Sequence, residues 1–545
     1  MQLLERLDDK RAAIATEIKA IGIAKQAGLI GGSSPLEIVR IMRTMRTLGA
    51  MTAALVNSAR KHPDRTAIID ELGSLTYAEL DRRTNALANA WRQRGLTSSD
   101  GIAILSRNHR GLPLAVYAAG KVGARIVLLN TDFAGPQIRE VAGREGVDLL
   151  VHDDEYAAFL EGVEPRLGRF RAWTDADPGP AEDTLEFLIA SGDDSPPPPP
   201  ASHAKIVVLT SGTTGTPKGA PRSEPKGVTP VSALLERAPF RSGDTVENCA
   251  PMFHSLGFAF MLLTIALGST LVVRRRFDPE RTLESIEANG SRGMVLVPIM
   301  LSRILDLGDE AVGKRDLSSL EVVLLGGSQL GGELAEHALQ VLGPVIHNLY
   351  GSTEVAYATI ATPEDLLAEP SCVGRPVLGT VVRLLDADGK EVPQGETGRI
   401  FVRNSIPFDG YTGGGHKEVV DGLMSSGDVG HFDAAGRLFV DGRDDEMIVS
   451  GGENVFPREV EELLEHLDDV ADVACVDVPD EKYGQRLRAF VVRRPGSALS
   501  EDEVRAHVKE NLARYKVPRD VVFIDELPRN ATGKVLKREL RQIEV

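Results

Sequence analysis

Beyond His62 the chain alternates short apolar runs with longer segments of mixed character. Residues 66–69, 101–105 and 124–129 are brief and rich in Ile, Val, Leu and Ala, the pattern of strands buried on both faces. Residues 76–94 read as a helix, with Thr76 as its N-cap and Glu79 closing a capping box, and residues 112–122 read as another. Strand and helix in turn predict an α/β body with mostly parallel sheets. A polyproline run at 196–200 reads as a stiff surface linker before a strand at 205–209.

The stretch 253–273 holds no Asp, Glu, Lys or Arg. It is interrupted by His254, Gly257 and Gly268, and it ends in a strand-like Thr270-Leu271-Val272-Val273. A buried helix followed by a strand accounts for this better than a membrane span. The composition changes near Gly442, and shorter elements follow. These are a helix at 457–467, strands at 470–478 and 487–493, a helix at 500–513 and a strand at 521–524. They predict a small α+β domain.

The first 60 residues differ from the rest. They hold nine Lys or Arg against five acids, a balance of +4, and the whole chain is −17, which leaves −21 for the remainder. Ile38, Ile41, Met42, Met45, Leu48 and Leu55 recur at helical spacing, with Arg40, Arg43 and Arg46 largely off that stripe. Such a basic amphipathic helix over 35–58 either makes peripheral contact with a membrane surface or docks on the body.

A chain of 545 residues suggests three or four structural units. Hydrophobic residues at 42% and charged residues at 26% are ordinary for a globular enzyme-sized protein. The net negative charge argues against general nucleic-acid binding. Cys249, Cys372 and Cys475 form no CxxC pair, and the N-terminus is charged where a signal peptide is apolar. A cytoplasmic location, a reducing compartment and no cysteine-based metal site are expected.

Several motifs carry chemistry. Leu209-Thr-Ser-Gly-Thr-Thr-Gly-Thr-Pro-Lys-Gly219 runs a strand into a loop of hydroxyls and glycines that ends on a lysine. Exposed backbone N–H groups, hydroxyls and an ammonium make an anion cradle. It is not a Walker A loop, because Pro217 precedes Lys218 and Gly219 follows it. His347-Asn-Leu-Tyr-Gly-Ser-Thr-Glu354 offers an aromatic face for a purine, Gly351 for close approach, hydroxyls for phosphate and a carboxylate for Mg²⁺. Ser426-Gly427-Asp428 supplies a carboxylate suited to two ribose hydroxyls. Gly442-Arg-Asp-Asp-Glu-Met-Ile-Val-Ser-Gly-Gly-Glu-Asn-Val-Phe-Pro457 and Leu527-Pro-Arg-Asn-Ala-Thr-Gly-Lys534 complete the set.

In this order, the motifs resemble the adenylate-forming (AMP-binding) superfamily of acyl- and aryl-CoA synthetases, luciferases and adenylation domains, over roughly residues 60–545. Residues 1–60 ahead of it read as an N-terminal helical extension, and the resemblance implies a large domain of stacked β-sheets with flanking helices over 61–442. It further implies a hinge at 443–447 around Asp445 and a mobile α+β lid over 448–545.

Carried onto this sequence, Thr210, Ser211, Gly212, Thr213, Thr214, Gly215 and Lys218 would cover the ATP β- and γ-phosphates. Gly326, Gly327 and Ser328 would lie beside the adenine and the acyl carboxylate. Tyr350 and Gly351 would contact the adenine, Thr353 the α-phosphate, Glu354 the Mg²⁺, and Asp428 with Arg443 the ribose. Gly451 and Gly452 would pass the pantetheine arm of CoA, and Lys534 would be the catalytic lysine of adenylate formation. His254 matches a position beside the acyl carbonyl, whereas His347 reads as structural.

Departures are visible too. After Gly219 the chain continues Ala220-Pro221-Arg222-Ser223, where the family commonly has Val and then His or Ser. No insertion of the kind found in fatty acyl-AMP ligases is apparent. The resemblance implies ATP- and Mg²⁺-dependent activation of a fatty acid to acyl-CoA. The low aromatic content and the apolar wall at 256–267 lean toward an aliphatic acid. An aryl-CoA ligase, a carrier-loading adenylating enzyme (although the sequence ends without a carrier domain) and a non-catalytic nucleotide- or acyl-binding regulator are the alternatives. Arg274-Arg275-Arg276 reads either as a lure for the CoA 3′-phosphate or as a solvated charge run.

Overall fold

A computed structural model describes residues 2–30, 35–175, 181–210, 218–222, 227–406, 408–444, 448–450, 453–455, 457–480, 484–512, 516–530 and 533–543. Four β-sheets organise it. In the first, Arg169–Trp173, Leu149–Asp153, Gly101–Leu105, Arg125–Leu128 and Ile206–Thr210 run parallel, and Lys218–Arg222 returns antiparallel at the edge. In the second, Ile346–Tyr350, Val322–Gly326, Gly293–Leu296, Thr245–Asn248, Thr270–Val272 and Thr66–Asp70 form a parallel centre with antiparallel strands at both edges.

One core joins these sheets. Ile68 and Leu271 from one, and Ile102, Ile126 and Val151 from the other, enclose side chains of the helices Tyr77–Gln93, Gly111–Val122 and Ser255–Ala266. Burial on both faces is why these strands read as unbroken apolar runs rather than alternating ones. Thr76 caps its helix, and Glu79 returns the bond to the cap backbone. The apolar stretch at 253–273 is a buried helix and then a strand. Among the described residues, no helix is long and apolar enough to cross a membrane.

The third sheet departs from the expected parallel body. Val381–Leu385, Gly398–Arg403, Leu423–Phe432, Val419–Val420 and Leu438–Arg443 are all antiparallel. Short turns such as that through Gly436 (φ 77°) join neighbours directly, so no crossover helix is needed. The fourth sheet is smaller and C-terminal. The strands Glu453–Val455, Ile448–Ser450, Gly484–Arg493 and Val470–Asp480 pair antiparallel, and Asp520–Phe523 joins parallel. The helix Pro457–Glu465 covers it through Val460 and Leu464, both fully buried.

Two helices precede this body, α1 (Gln2–Gln26) and α2 (Pro35–Lys61). The buried Ala20 and Ala24 form the close-packed face of α1, with the buried Ala27 just past its end, and Ser232 Oγ donates to the Ala20 carbonyl at 2.7 Å. Gly49 (φ 78°, ψ 161°) breaks α2 into two arms. The periodic residues 38–55 therefore do not share one face. Leu55 is fully buried, whereas Ile38, Met42 and Met45 are exposed.

Candidate functional site

The carboxyl ends of two adjacent parallel strands, Val322–Gly326 and Ile346–Tyr350, lie side by side, with Gly326 in register with Leu349. Ligands of open α/β sheets collect at such ends. Glycine is required at the turn after Tyr350, because a Cβ on Gly351 would stand 2.1 Å from the Ala356 carbonyl oxygen. Ala356 itself is held at φ 59°, a left-handed conformation that a non-glycine residue adopts at a cost of about 1–2 kcal/mol.

Two polar groups organise the site, the buried Asp428 and the half-buried Glu354. Asp428 and Arg443 face each other across paired antiparallel strands. Arg443 Nη1 lies 3.3 Å from Asp428 Oδ1, and the Tyr350 hydroxyl donates to Asp428 Oδ2 at 2.6 Å with Ser426 Oγ 3.1 Å away. Burial raises the Asp428 carboxyl above its ordinary range, while the charges of Arg443 and Lys534 and the Tyr350 hydrogen bond pull it down. Burial and the neighbouring Asp428 push the Tyr350 phenol well up.

The second group is Glu354. Its Oε1 accepts from the Tyr411 hydroxyl at 2.5 Å and its Oε2 from Ser352 Oγ at 3.0 Å. Lys218 Nζ sits 5.3 Å from the centre of the Tyr411 ring. The motif thus continues across the fold to a tyrosine that shares no sequence neighbourhood with it.

The atypical exit of the glycine-rich loop has a structural role. Arg222 Nη2 donates to the carbonyls of Thr353 and Glu354, the latter at 3.0 Å, and Nη1 reaches the Ile406 carbonyl at 3.3 Å. Burial lowers its guanidinium to about 10. Gly219 is held by Thr412, whose Oγ1 accepts from Gly219 N–H at 3.0 Å and donates to Glu145 Oε1 at 2.6 Å.

Lys534 comes from the small C-terminal sheet region. Its backbone N–H donates to Asn530 Oδ1, and Asn530 N–H to the Lys534 carbonyl, both at 2.9 Å, closing a tight turn. Gly533 (φ 77°) brings the turn against the large domain, where an added Cβ would come within 2.3 Å of Ile299 Cγ2. Ile299 lies in the first turn of the helix Pro298–Leu305, which follows Gly293–Leu296, the strand beside Val322–Gly326, so the lysine approaches the same strand ends.

His254 sits at the N-cap position of Ser255–Ala266 but caps nothing. Its ring packs on Phe253 with centroids 4.5 Å apart, and its buried Nε2 has no hydrogen-bond partner among the described residues. Burial drops its pKa to about 4, so the imidazole is neutral near pH 7. Two residues on, Leu256 Cδ1 stands 3.6 Å from where a Gly326 Cβ would be, which ties His254 to the site. His347 is buried, with Nδ1 2.9 Å from the Val345 carbonyl and a pKa lowered to about 4.

The fold therefore brings together Lys218, Gly326, Tyr350, Gly351, Thr353, Glu354, Asp428, Arg443 and Lys534. Gly327 (φ 90°) and Ser328 follow Gly326 directly, and Thr210 pairs with Lys218 at the mouth of the loop. Ser211, Gly212, Thr213, Thr214, Gly215, Asp445, Gly451 and Gly452 lie outside the described residues. Arg275 is committed to Glu155 at 2.7 Å and stacks on Trp173, and Arg276 lies 3.3 Å from the same carboxylate. Tyr411 and Arg222 escaped the sequence reading. The cue for the first is an aromatic set beside glycines at 410–415, and for the second the departure after Gly219.

Residues 55–412 match the AMP-binding enzyme family, and residues 459–534 match the AMP-binding enzyme C-terminal domain. The chain belongs to this family. Among relatives of this AMP-binding enzyme, the feruloyl-CoA synthase of Amycolatopsis sp. is 34% identical over 492 residues, covering 89% of this chain and 97% of the relative. The fatty acid–[acyl-carrier-protein] ligase ScoC of Streptomyces coeruleorubidus is 30% identical over 506 residues, covering 89% and 94%. The crystal structure of ATP-bound MatB from Rhodopseudomonas palustris superposes with a TM-score of 0.81 at 25% identity, covering 90% of this chain and 98% of that one.

Proposed function

We propose that this AMP-binding enzyme is an AMP-forming acid–CoA ligase. The observation that carries the reading is the approach of Lys534 from the small domain to the strand ends where Asp428, Tyr350 and Glu354 are already fixed by hydrogen bonds. A carboxylate is a poor electrophile and must be activated. In the first step its oxygen attacks the α-phosphorus of ATP, the bond to the bridging oxygen breaks, and pyrophosphate leaves with that electron pair. In the second, the CoA thiol loses its proton as sulfur bonds to the acyl carbon, and AMP departs.

Two anions meet in the first step, so positive charge is needed where negative charge develops. Lys534 supplies it from a long stem. Asp428 and Arg443 hold the ribose, Tyr350 and Gly351 flank the adenine, Thr353 meets the α-phosphate, and Lys218 with the loop 210–215 holds the outer phosphates. Among the described residues, no cluster of three metal-ligating side chains exists. A single carboxylate fits Mg²⁺, which is commonly held by one or two carboxylates together with substrate phosphates. Glu354 is the residue that would hold it, and the ion would neutralise phosphate charge.

On this reading, residues 61–442 form the nucleotide-binding domain and residues 448–545 a lid that turns about 443–447 at Asp445. The turn withdraws Lys534 and brings Gly451 and Gly452 to the CoA arm. The neutral His254 offers a hydrogen bond to the acyl group.

Our reading of the acid is a fatty acid, supported by the apolar helix Ser255–Ala266 directly behind His254. A relative named for feruloyl-CoA at 34% identity favours an aryl acid as the second reading. Acid-dependent ATP–pyrophosphate exchange over an aliphatic series, ferulate and benzoate, followed by thioester assay with and without CoA, tests both. Exchange with aliphatic acids and thioester only with CoA is the expected result. Exchange with aryl acids alone replaces the substrate. Exchange without CoA thioester moves the acceptor to a carrier protein, and no exchange with any acid rejects the ligase.

A further inference from the structure

The N-terminal extension concentrates exposed apolar surface in an otherwise ordinary protein. Eight of the thirteen exposed large hydrophobic side chains among the described residues fall between Ile14 and Met45. Five lie on the first arm of α2: Leu36 is 82% exposed, Val39 and Met42 64%, and Ile38 and Met45 also open to solvent. Arg40, Arg43 and Arg46 are exposed on the same arm, and no ion pair engages them among the described residues.

At 100° per residue, Ile38, Met42, Met45 and Val39 span an arc of about 120°; Arg46 falls within it beside Val39, and Arg43 lies about 40° beyond its edge. Beyond Gly49 the second arm is anchored. Thr52 and Leu55 are buried, and Ser58 Oγ donates to the Ile265 carbonyl at 2.7 Å. The first arm is therefore fixed to a rigid body while presenting an apolar strip with cations along its Val39 side. The family match begins only at residue 55, so this arm lies outside the shared catalytic unit.

We propose that the first arm of α2 is a docking surface for an anionic phospholipid bilayer. A local +4 segment on a chain of net charge −17 orients the molecule with this arm toward negative surface charge. The size of the strip argues against a second copy. An arm of 14 residues is about 21 Å long, and a strip about 10 Å wide gives on the order of 200 Å², well below the ~800 Å² per partner of a stable interface. A symmetric pair would also bring the two arginine rows together. A bilayer accepts a narrow apolar strip and pairs its headgroups with the arginines.

The test is flotation of the full chain with vesicles of phosphatidylcholine alone and of phosphatidylcholine with phosphatidylglycerol, at low and high salt. Binding to the anionic vesicles, weakened by salt, is expected. Arg40→Gln/Arg43→Gln/Arg46→Gln should lower the partition coefficient about 100-fold, from roughly 1 kcal/mol per basic side chain. Leu36→Ser/Val39→Ser/Met42→Ser should abolish binding at unchanged charge. Both variants should keep the parent's pyrophosphate exchange and melting temperature, which separates this proposal from the ligase reading. Equal binding to neutral vesicles, no binding to either, or triple variants that float like the parent would overturn it. So would concentration-dependent dimerisation abolished by the serine substitutions.

Discussion

The two sides of the site are built differently. On the large-domain side, Asp428 is held by Tyr350 and Arg443, and both oxygens of Glu354 are hydrogen-bonded. These groups are oriented before any ligand arrives, which is what preorganised electrostatic stabilisation requires. On the small-domain side, Lys534 is exposed and rests on a turn closed by its own backbone. Among the described residues, polar contacts of the small domain with the large one lie at the surface, such as Gln329 donating to Glu462 at 2.9 Å and Arg494 standing 3.9 Å from Glu333, while the turn itself meets Ile299 through Gly533. Exposed polar contacts of this kind contribute little free energy. A charge delivered this way is cheap to bring and cheap to remove, whereas the hydrogen-bonded carboxylates, Asp428 buried and Glu354 half-buried, are costly to disturb.

The largest effect should come from Lys534→Ala. If the lysine serves only the adenylate step, pyrophosphate exchange should fall about 10²–10³-fold, the scale of losing one key stabilising group. Thioester formation from supplied acyl-adenylate should stay within a few-fold of the parent. The melting temperature should not move, since the side chain is exposed. Equal loss in both half-reactions would erase the distinction between the two sides.

Asp428→Asn should behave in the opposite way. It removes the charge that pairs with Arg443 and that receives the Tyr350 hydroxyl in a nearly buried setting. Breaking a buried charged hydrogen bond costs about 1.5–3 kcal/mol, so the KM for ATP should rise about 10- to 100-fold. Both half-reactions should suffer, because the ribose is present in ATP and in the adenylate. Titration calorimetry with AMP would show the same loss without turnover.

The parallel strands were legible because fully buried strands announce themselves as apolar runs, and the helix at 77–93 because its capping box is local. The antiparallel sheet at 381–443 was not. Its strand Leu423–Phe432 mixes Ser, Gly, Asp and His with apolar residues, so no clean alternation appears. The packed face of α1, within the expected helical extension, was hidden because its seam is alanine, while its isoleucines at 14, 18 and 21 face outward. At the site, the charged and aromatic residues of the motifs could be named in advance. Their partners could not: Tyr411 meets Glu354 across 57 positions, and Arg222 meets Thr353 across 131. Such contacts belong to topology, and no local pattern encodes them.

Arg222 offers a smaller effect on the fixed side. Arg222→Gln leaves the carbonyls of Thr353, Glu354 and Ile406 without their shared donor. The loop carrying Glu354 should lose its set position, raising the KM for ATP and lowering kcat/KM about 10- to 30-fold, with a lower melting temperature. Arg222→Lys restores one donor but not the planar fork, and should recover only part of the loss. An unchanged KM with a lower melting temperature would make the residue purely structural.

The smallest effect tests the delivered side without touching its charge. Gly533→Ala places a Cβ 2.3 Å from Ile299 Cγ2 and forces alanine to φ 77°. The second cost, about 1 kcal/mol, is present whether or not the domains meet, so it lowers stability and leaves closure unchanged. The first exists only when the turn lies against the large domain. Gly533→Ala should therefore slow pyrophosphate exchange about 5- to 10-fold and leave thioester formation from the adenylate nearly intact. Ile299→Ala in the same chain should recover the exchange rate and leave only the lower melting temperature from the backbone strain. If the double variant recovers nothing, the contact does not limit adenylate formation. If the thioester step falls as well, Gly533 meets Ile299 in both half-reactions, and the lysine is not withdrawn between them.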